Sequence, residues 1–216
     1  MQVVPAILPK DFNEITNKLE KLDYVTNLVQ IDLCDGEFGL LKTWLPEGDE
    51  HLPNDYEYEF DIMVHDFKTY VKKAIDLGAA KIVAHVDYFS EGDANELVDI
   101  LEHTGIALGV SVSNSVSVED HINFIKFFEE RYSNVYVQVM GIRNIGAQGQ
   151  PFDEEVLDRI KEIKSWCPNL YLQVDGSMNK NTALKVKEAG ADIVISGSYL
   201  FGQEDIGKAI QEIEEL

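Results

Sequence analysis

The sequence predicts a closed barrel of eight parallel strands, each followed by a helix, the (β/α)8 or TIM-barrel class. Three observations carry the prediction. Short apolar bursts alternate with amphipathic stretches along the whole chain, the units are short and evenly spaced, and the bursts carry polar residues on one face. The rival, an open doubly wound sheet, has no good place for such a face, because strands covered on both sides read as apolar throughout. At 216 residues a single barrel domain spanning 1–216 accommodates the pattern.

The strands are expected at 2–8, 28–34, 58–64, 81–86, 107–112, 134–140, 170–175 and 192–196, each rich in Val, Ile, Tyr or Leu. Amphipathic segments at 11–22, 66–77, 93–103, 117–130, 152–164 and 179–189 separate most of them, and 204–215 closes the chain. In 66–77 the apolar Phe67, Tyr70, Val71, Ala74, Ile75 and Leu77 follow helical spacing, and Gly78 stops the helix. "EAGAD" (188–192) repeats that handover from helix through glycine to strand, and Asp93 and Asn179 suit N-caps. The exception to the rhythm is 36–57, "GEFGLLKTWLPEGDEHLPNDYE". Its Gly, Pro and charged residues predict a long loop with at most one short helix, and a long loop after a strand is more often functional than idle.

Composition narrows the function. The apolar fraction of 45% suits a globular protein with a sizeable core. A formal net charge of −21 repels phosphodiester backbones and anionic lipid, so neither nucleic acid nor a membrane surface is expected as a partner. The opening "VVPAIL" is far below the ~18 residues that span a bilayer and too short for a signal-peptide core. Cys34 and Cys167 show no CxxC spacing and suggest no disulfide framework, so a reducing cytoplasm is expected. Homo-oligomerisation stays open.

In a barrel, alternate strand residues point at the helices and at the axis. The helix-facing sets are apolar: Val29, Ile31 and Leu33; Phe60, Ile62 and Val64; Ile82, Ala84 and Val86; Val137 and Val139; Leu172 and Val174. The opposite set therefore faces inward: Gln30, Asp32, Cys34, Glu59, Asp61, Met63, His85, Ser111, Gln138, Met140, Gln173 and Asp175. Barrel interiors are mostly branched aliphatic, and isolated buried carboxylates are costly. A single such acid could be bonded to backbone. Asp32, Asp61 and Asp175 together point instead to a polar site at the C-terminal mouth.

The segments "PAILPKDF", "VQIDLCDGEF", "FDIMV", "VAHV", "VMGIRNIGAQGQPF", "QVDGSMN" and "GADIVISGSYLFG" stand in the order and spacing of the ribulose-phosphate 3-epimerase family. The chain resembles that family over nearly its whole length. The resemblance implies a barrel of the ribulose-phosphate-binding type that interconverts D-ribulose 5-phosphate and D-xylulose 5-phosphate. One carboxylate would remove the C3 proton next to the C2 ketone, and a second would return a proton to the other face of the planar enediolate. The acid of the family's "HVDxMDG" matches Asp32 and that of its "VDGG" matches Asp175. The chemistry independently wants such a pair, since an α-proton is a weak acid and its developing oxyanion needs positive charge nearby.

Departures concentrate around the family's divalent cation, which sits on two histidines and the two aspartates. The histidine of "HVD" is Gln30 here, and that of "HLMV" is Asp61; the serine of "PSIL" is Ala6, the methionine of "VMDG" is Cys34, and "VDGG" reads "VDGS". Gln30, Asp32, Asp61 and Asp175 would form an all-oxygen set, which favours Mg²⁺ or Mn²⁺ over Zn²⁺, with a metal-free site as the alternative. Without a cation at least one carboxylate would be driven to keep its proton. His65 is either a substitute ligand or a surface histidine, and His85 either bonds the site or is a satisfied interior group.

"GAQGQ", "DGSMN" and "SGSYLFG" each follow a strand, the last two after strands seven and eight, where barrels commonly bind phosphate through backbone N–H groups. Gly146, Gly149, Gly176, Ser177, Gly197 and Ser198 are the candidates, and such a nest needs little Lys or Arg. Relative to the family's "NPGFGGQ", "RNIGAQGQ" carries one extra residue. Cys34, Met63 and Met140 match the family's sulphur ring around the reacting carbons, although packing explains them equally well. Two alternatives stand beside a pentulose-phosphate epimerase: an epimerase for another ketose phosphate such as allulose 6-phosphate, and a catalytically silent sugar-phosphate-binding protein. The related decarboxylase and hexulose-phosphate synthase barrels carry a lysine between their acids, where "DLCD" has Leu33 and Cys34.

Overall fold

The structure, a computed structural model, describes residues 1–38, 41–143, 145 and 149–216. Strands β1 (Gln2–Ile7), β2 (Leu28–Cys34), β3 (Glu57–Met63), β4 (Ala79–His85), β5 (Ala107–Val112), β6 (Val135–Met140), β7 (Leu172–Asp175) and β8 (Ile193–Ser196) close into a barrel in sequence order. All pairings are parallel, and β8 returns to β1. Around it lie α1 (Phe12–Leu19), α2 (Phe67–Asp76), α3 (Glu91–Leu101), α4 (Val118–Arg131), α5 (Val156–Trp166), α6 (Lys180–Ala189), α7 (Ser198–Phe201) and α8 (Ile206–Glu214). The expected fold class is the observed one.

Alternation sorts the side chains as anticipated. Val29, Ile31, Leu33, Phe60, Ile62, Val64, Ile82, Ala84, Val137, Val139, Leu172 and Val174 join one continuous apolar layer between sheet and helices. The barrel interior divides instead into two unlike halves. Val4, Ala6, Leu28, Ile193 and Ile195 form an aliphatic cluster near β8 and β1. The other half is largely polar, with Gln30, Glu59, Asp61, His85, Gln138 and Gln173 all buried beside a small apolar cluster of Val83, Ala107 and Tyr136. Parallel register places equivalent residues on the same face, so Asp32 stands beside Asp61, Gln138 beside Gln173, and Met140 beside Asp175.

Local details differ from the sequence reading where caps compete. The N-cap of α3 is Ser90, and Asp93 is its reciprocal partner: the Asp93 N–H donates to Ser90 Oγ at 3.2 Å while Ser90 N donates to the Asp93 carboxylate at 3.0 Å. The expected start at 93 is therefore late, since the helix begins at Glu91 behind its Ser90 cap. Asn179 caps α6 as expected, and Gly190 ends it in the left-handed region at φ 116°. Helix α5 starts at 156 instead of 152, because Asp153 is engaged by Arg143 and Asn114. The short α7 after β8 has too few residues to show a periodicity.

The β2–β3 connection contains no helix among the described residues. It is tied to the barrel by Thr43, whose hydroxyl accepts from Cys34 N at 2.8 Å and donates to the Asp32 carbonyl at 3.0 Å. Trp44 N reaches the Pro9 carbonyl at 2.8 Å. Asp35 holds the first turn, accepting from Glu37 N and Phe38 N, both at 2.8 Å.

Gly109 is among the glycines that packing alone requires. A Cβ on Gly109 would stand 2.7 Å from the ring of Tyr136, which is buried inside the barrel and cannot withdraw. Gly109→Ala should destabilise the protein by about 1–3 kcal/mol through overpacking, read as a lower urea midpoint at unchanged slope.

Candidate active site

The ends of the strands surround a cavity at the C-terminal mouth. Its lining includes Asp32 from β2, Met63 from β3, Met140 from β6, Asp175 from β7, Ile195 from β8 and Ala6 from β1. The turns after β6, β7 and β8 contribute Gly149, Gly176, Ser177, Gly197 and Ser198 to the same wall. Five of the six candidate phosphate-binding residues thus share a cavity with both candidate acids. Gly146 lies outside the described residues. Leu8, Ile142, Gln150 and Met178 also line the cavity and were not anticipated, since they sit in turns without periodicity.

Beneath the cavity the acids converge. One oxygen each from Asp32, Asp61 and Asp175 lies within 4.8 Å of the others. Gln30 tethers two of them: its Nε2 donates to Asp32 Oδ1 at 2.8 Å and to Asp175 Oδ2 at 3.1 Å. Asp61 is held from the other side. Its Oδ1 is 2.7 Å from His85 Nε2, and its Oδ2 accepts from Gln138 Nε2 at 2.9 Å. His85 is therefore part of the site's support. His65 is not: its largely exposed ring lies 3.5 Å from Asp35, away from the acidic cluster. Cys34 packs behind the cluster with Sγ 3.9 Å from Met63 Sδ, and burial pushes its thiol pKa up, so it is no nucleophile.

Burial and mutual repulsion dominate the electrostatics. Burial first, then the charges of Asp175 and Asp61, drives the Asp32 carboxyl well above the usual carboxylate range. Burial and then Asp61 push Asp175 up to about 7, against the opposing Gln30 hydrogen bond. Burial would lower His85, but the charge and hydrogen bond of Asp61 outweigh it, and the imidazole pKa is raised. In the metal-free protein the two cavity acids therefore retain a proton between them near neutrality.

The donors fit a hard divalent cation. Three carboxylates supply oxygens within one small sphere; Gln30, expected as a fourth ligand, instead turns its amide nitrogen toward Asp32 and Asp175 and tethers them. No imidazole belongs to that cluster, which removes the nitrogen donors that zinc prefers.

Backbone geometry shapes the wall after β7. Gly176 has φ 112°, and a Cβ there would meet Ile142 at 2.9 Å, so only glycine lets this turn close against the β6 exit. Ser177 follows at φ 57°, a left-handed position unusual for serine, with its hydroxyl donating to the Gln150 carbonyl.

The sequence model described as the ribulose-phosphate 3 epimerase family matches residues 2–201. The chain belongs to that family. It is similar to the ribulose-phosphate 3-epimerase of Bacillus subtilis, 27% identical over 99% of this chain and 98% of the relative. It is also similar to that of Helicobacter pylori strain J99, 26% identical over 100% and 98%. Solved structures share the fold at lower identity. A 3-hexulose-6-phosphate synthase from Salmonella typhimurium superposes with a TM-score of 0.66 at 13% identity, covering 100% of this chain and 97% of its own. A 3-keto-L-gulonate-6-phosphate decarboxylase from Vibrio cholerae gives 0.69 at 10% identity over 100% and 95%.

The pH dependence of stability follows from these shifts. A carboxyl whose folded pKa is raised stabilises the fold below its unfolded pKa, and that contribution is lost as pH rises through the folded value. The urea midpoint of the metal-free protein should therefore fall as pH climbs from about 4 through about 7, the value to which Asp175 is pushed. Asp175→Asn should flatten the fall and raise the midpoint at alkaline pH, which denaturation of both proteins across that range checks.

Proposed function

We propose that the protein is a pentulose-5-phosphate 3-epimerase that interconverts D-ribulose 5-phosphate and D-xylulose 5-phosphate. The observation that carries this reading is the pairing of Asp32 and Asp175 through one Gln30 amide, both acids opening onto a single cavity. A protein that only binds sugar phosphates has no need of two convergent, desolvated acids. Family membership and similarity to two ribulose-phosphate 3-epimerases support the same substrate class.

In this reading the phosphate lies against the turns containing Gly149, Gly176, Ser177, Gly197 and Ser198. The described lining holds no Lys or Arg, so backbone N–H groups do the binding. The sugar chain then extends toward Asp32 and Asp175, with Met63 and Met140 packed beside the reacting carbons. One carboxylate takes the C3 proton as the C3–H electrons move into the enediolate. The other, protonated, gives its proton to the opposite face of C3. Burial favours this arrangement because it keeps one proton on the pair, and the reverse reaction exchanges the roles. Asp32, Asp61 and Asp175 would hold a divalent cation, Mg²⁺ or Mn²⁺ rather than Zn²⁺, while Gln30 tethers two of them through its amide nitrogen. When bound, the cation supplies positive charge for the oxygens on which the enediolate charge develops. Asp61 takes no proton from substrate; His85 and Gln138 aim it.

Asp32→Asn and Asp175→Asn should each lower turnover of ribulose 5-phosphate by ~10²–10⁴-fold in a coupled assay. A wild type as slow as both variants would identify a silent binder. Metal analysis of gently purified protein should find magnesium or manganese; zinc at full occupancy would overturn the oxygen-donor assignment.

A further inference from the structure

The chemistry above uses Asp61 but leaves the polar interior beneath it unexplained. From the N-terminal mouth upward, Lys81 Nζ lies 3.8 Å from Glu59 Oε2, and the Tyr136 hydroxyl donates to that oxygen at 2.8 Å. Gln173 Nε2 donates both to Glu59 Oε1 at 2.8 Å and to Gln138 Oε1 at 2.6 Å. Gln138 Nε2 then donates to Asp61 Oδ2 at 2.9 Å, and His85 Nε2 closes the series on Asp61 Oδ1 at 2.7 Å. Glu59, Asp61, Gln138 and Gln173 are each 0% exposed.

The direction of this series is set by its ends. Turning over the Gln138 amide would bring oxygen against the Asp61 carboxylate and nitrogen against the Gln173 nitrogen. Turning over Gln173 would face its oxygen to both Glu59 and Gln138. Gln173 keeps both donations although its own Oε1 then finds no partner among the described residues. Packing alone does not call for such a series, since the β8–β1 side of the same barrel is filled by Val4, Ala6, Leu28, Ile193 and Ile195. The polar half is the half that leads to Asp61.

We propose that Glu59, Gln173 and Gln138 are positioning residues, a hydrogen-bond relay of fixed polarity that anchors Asp61 as an acceptor facing Asp32 and Asp175. The relay reaches the reaction only through Asp61 and His85. Its effect on turnover rests on the epimerase reading; its effect on His85 does not.

The test is a long-range proton–nitrogen NMR spectrum of the imidazoles in the metal-free protein, with His85 assigned by His85→Gln. Glu59→Gln keeps volume but removes the carboxylate that orients Gln173, and Gln173→Met cuts the series with an unbranched chain of similar size. Both should move the His85 nitrogens, while Val4→Ala, an equally buried change in the aliphatic half, should not. In the active enzyme both should lower kcat by ~10–100-fold with KM little changed, the usual size of losing a supporting partner. A folded Glu59→Gln protein with wild-type His85 nitrogens and wild-type kcat overturns the relay and leaves the epimerase intact. Displaced His85 nitrogens in a protein whose wild type turns over no pentulose phosphate keep the relay and overturn the function. If Glu59→Gln does not fold, Gln173→Met carries the same readings.

Discussion

Three carboxylates meeting at one buried point are the constraint to which the rest of this barrel answers. Each acid taken from water without compensation would cost several kcal/mol or surrender its charge. The structure meets that demand from two directions. Gln30 spends both donors of one amide on Asp32 and Asp175, and Asp61 receives a donor on each oxygen from His85 and Gln138. What remains uncompensated, burial first and then repulsion among the acids, appears as raised carboxyl pKa values. A cation held among the acids would relieve that repulsion, and the same raised pKa values keep a proton available for transfer.

Much of this was legible in the sequence because a strand's alternation is read without knowing the fold. Once Val29, Ile31 and Leu33 are assigned to the helices, Gln30 and Asp32 have only the axis left, and the same step placed Asp61, His85, Gln138, Gln173 and Asp175. The phosphate turns were readable for a different reason, since glycines after consecutive strands serve as backbone punctuation. The particular hydrogen bonds were not readable. Whether Gln138 on β6 meets Asp61 on β3 depends on the tilt and stagger of the closed barrel, which no single strand encodes. Helix starts failed at a finer scale: Ser90 and Asp93 are both good capping residues, and only the reciprocal geometry shows which stands first.

The polar groups around the acidic cluster make physical sense together. The Asp61 carboxylate adds negative charge to a site that already holds two acids. His85, on the neighbouring strand, faces that charge at 2.7 Å, and its raised pKa means the pair shares a proton more readily than an isolated histidine would. Gln30 gives both donors of its amide nitrogen to Asp32 and Asp175. The cluster thus presents oxygen donors held by supporting hydrogen bonds, the kind of set that suits a hard cation.

The acidic surface poses a last physical question, because on the proposed reading the substrate is itself an anion. Most of the net charge of −21 lies on side chains that water and salt screen, with a reach of about 8 Å at physiological ionic strength. Inside the cavity screening is weak, and there the wall nearest the strand-end turns presents backbone rather than carboxylates. Backbone N–H groups carry fixed partial positive charge that neither titrates nor needs a counter-charge on the surface. An acidic protein can therefore hold a phosphate by its turns and tolerate acids in the same cavity. On that reading phosphate binding would fall to backbone groups and proton transfer to Asp32 and Asp175, so the two tasks impose separate electrostatic demands on separate groups.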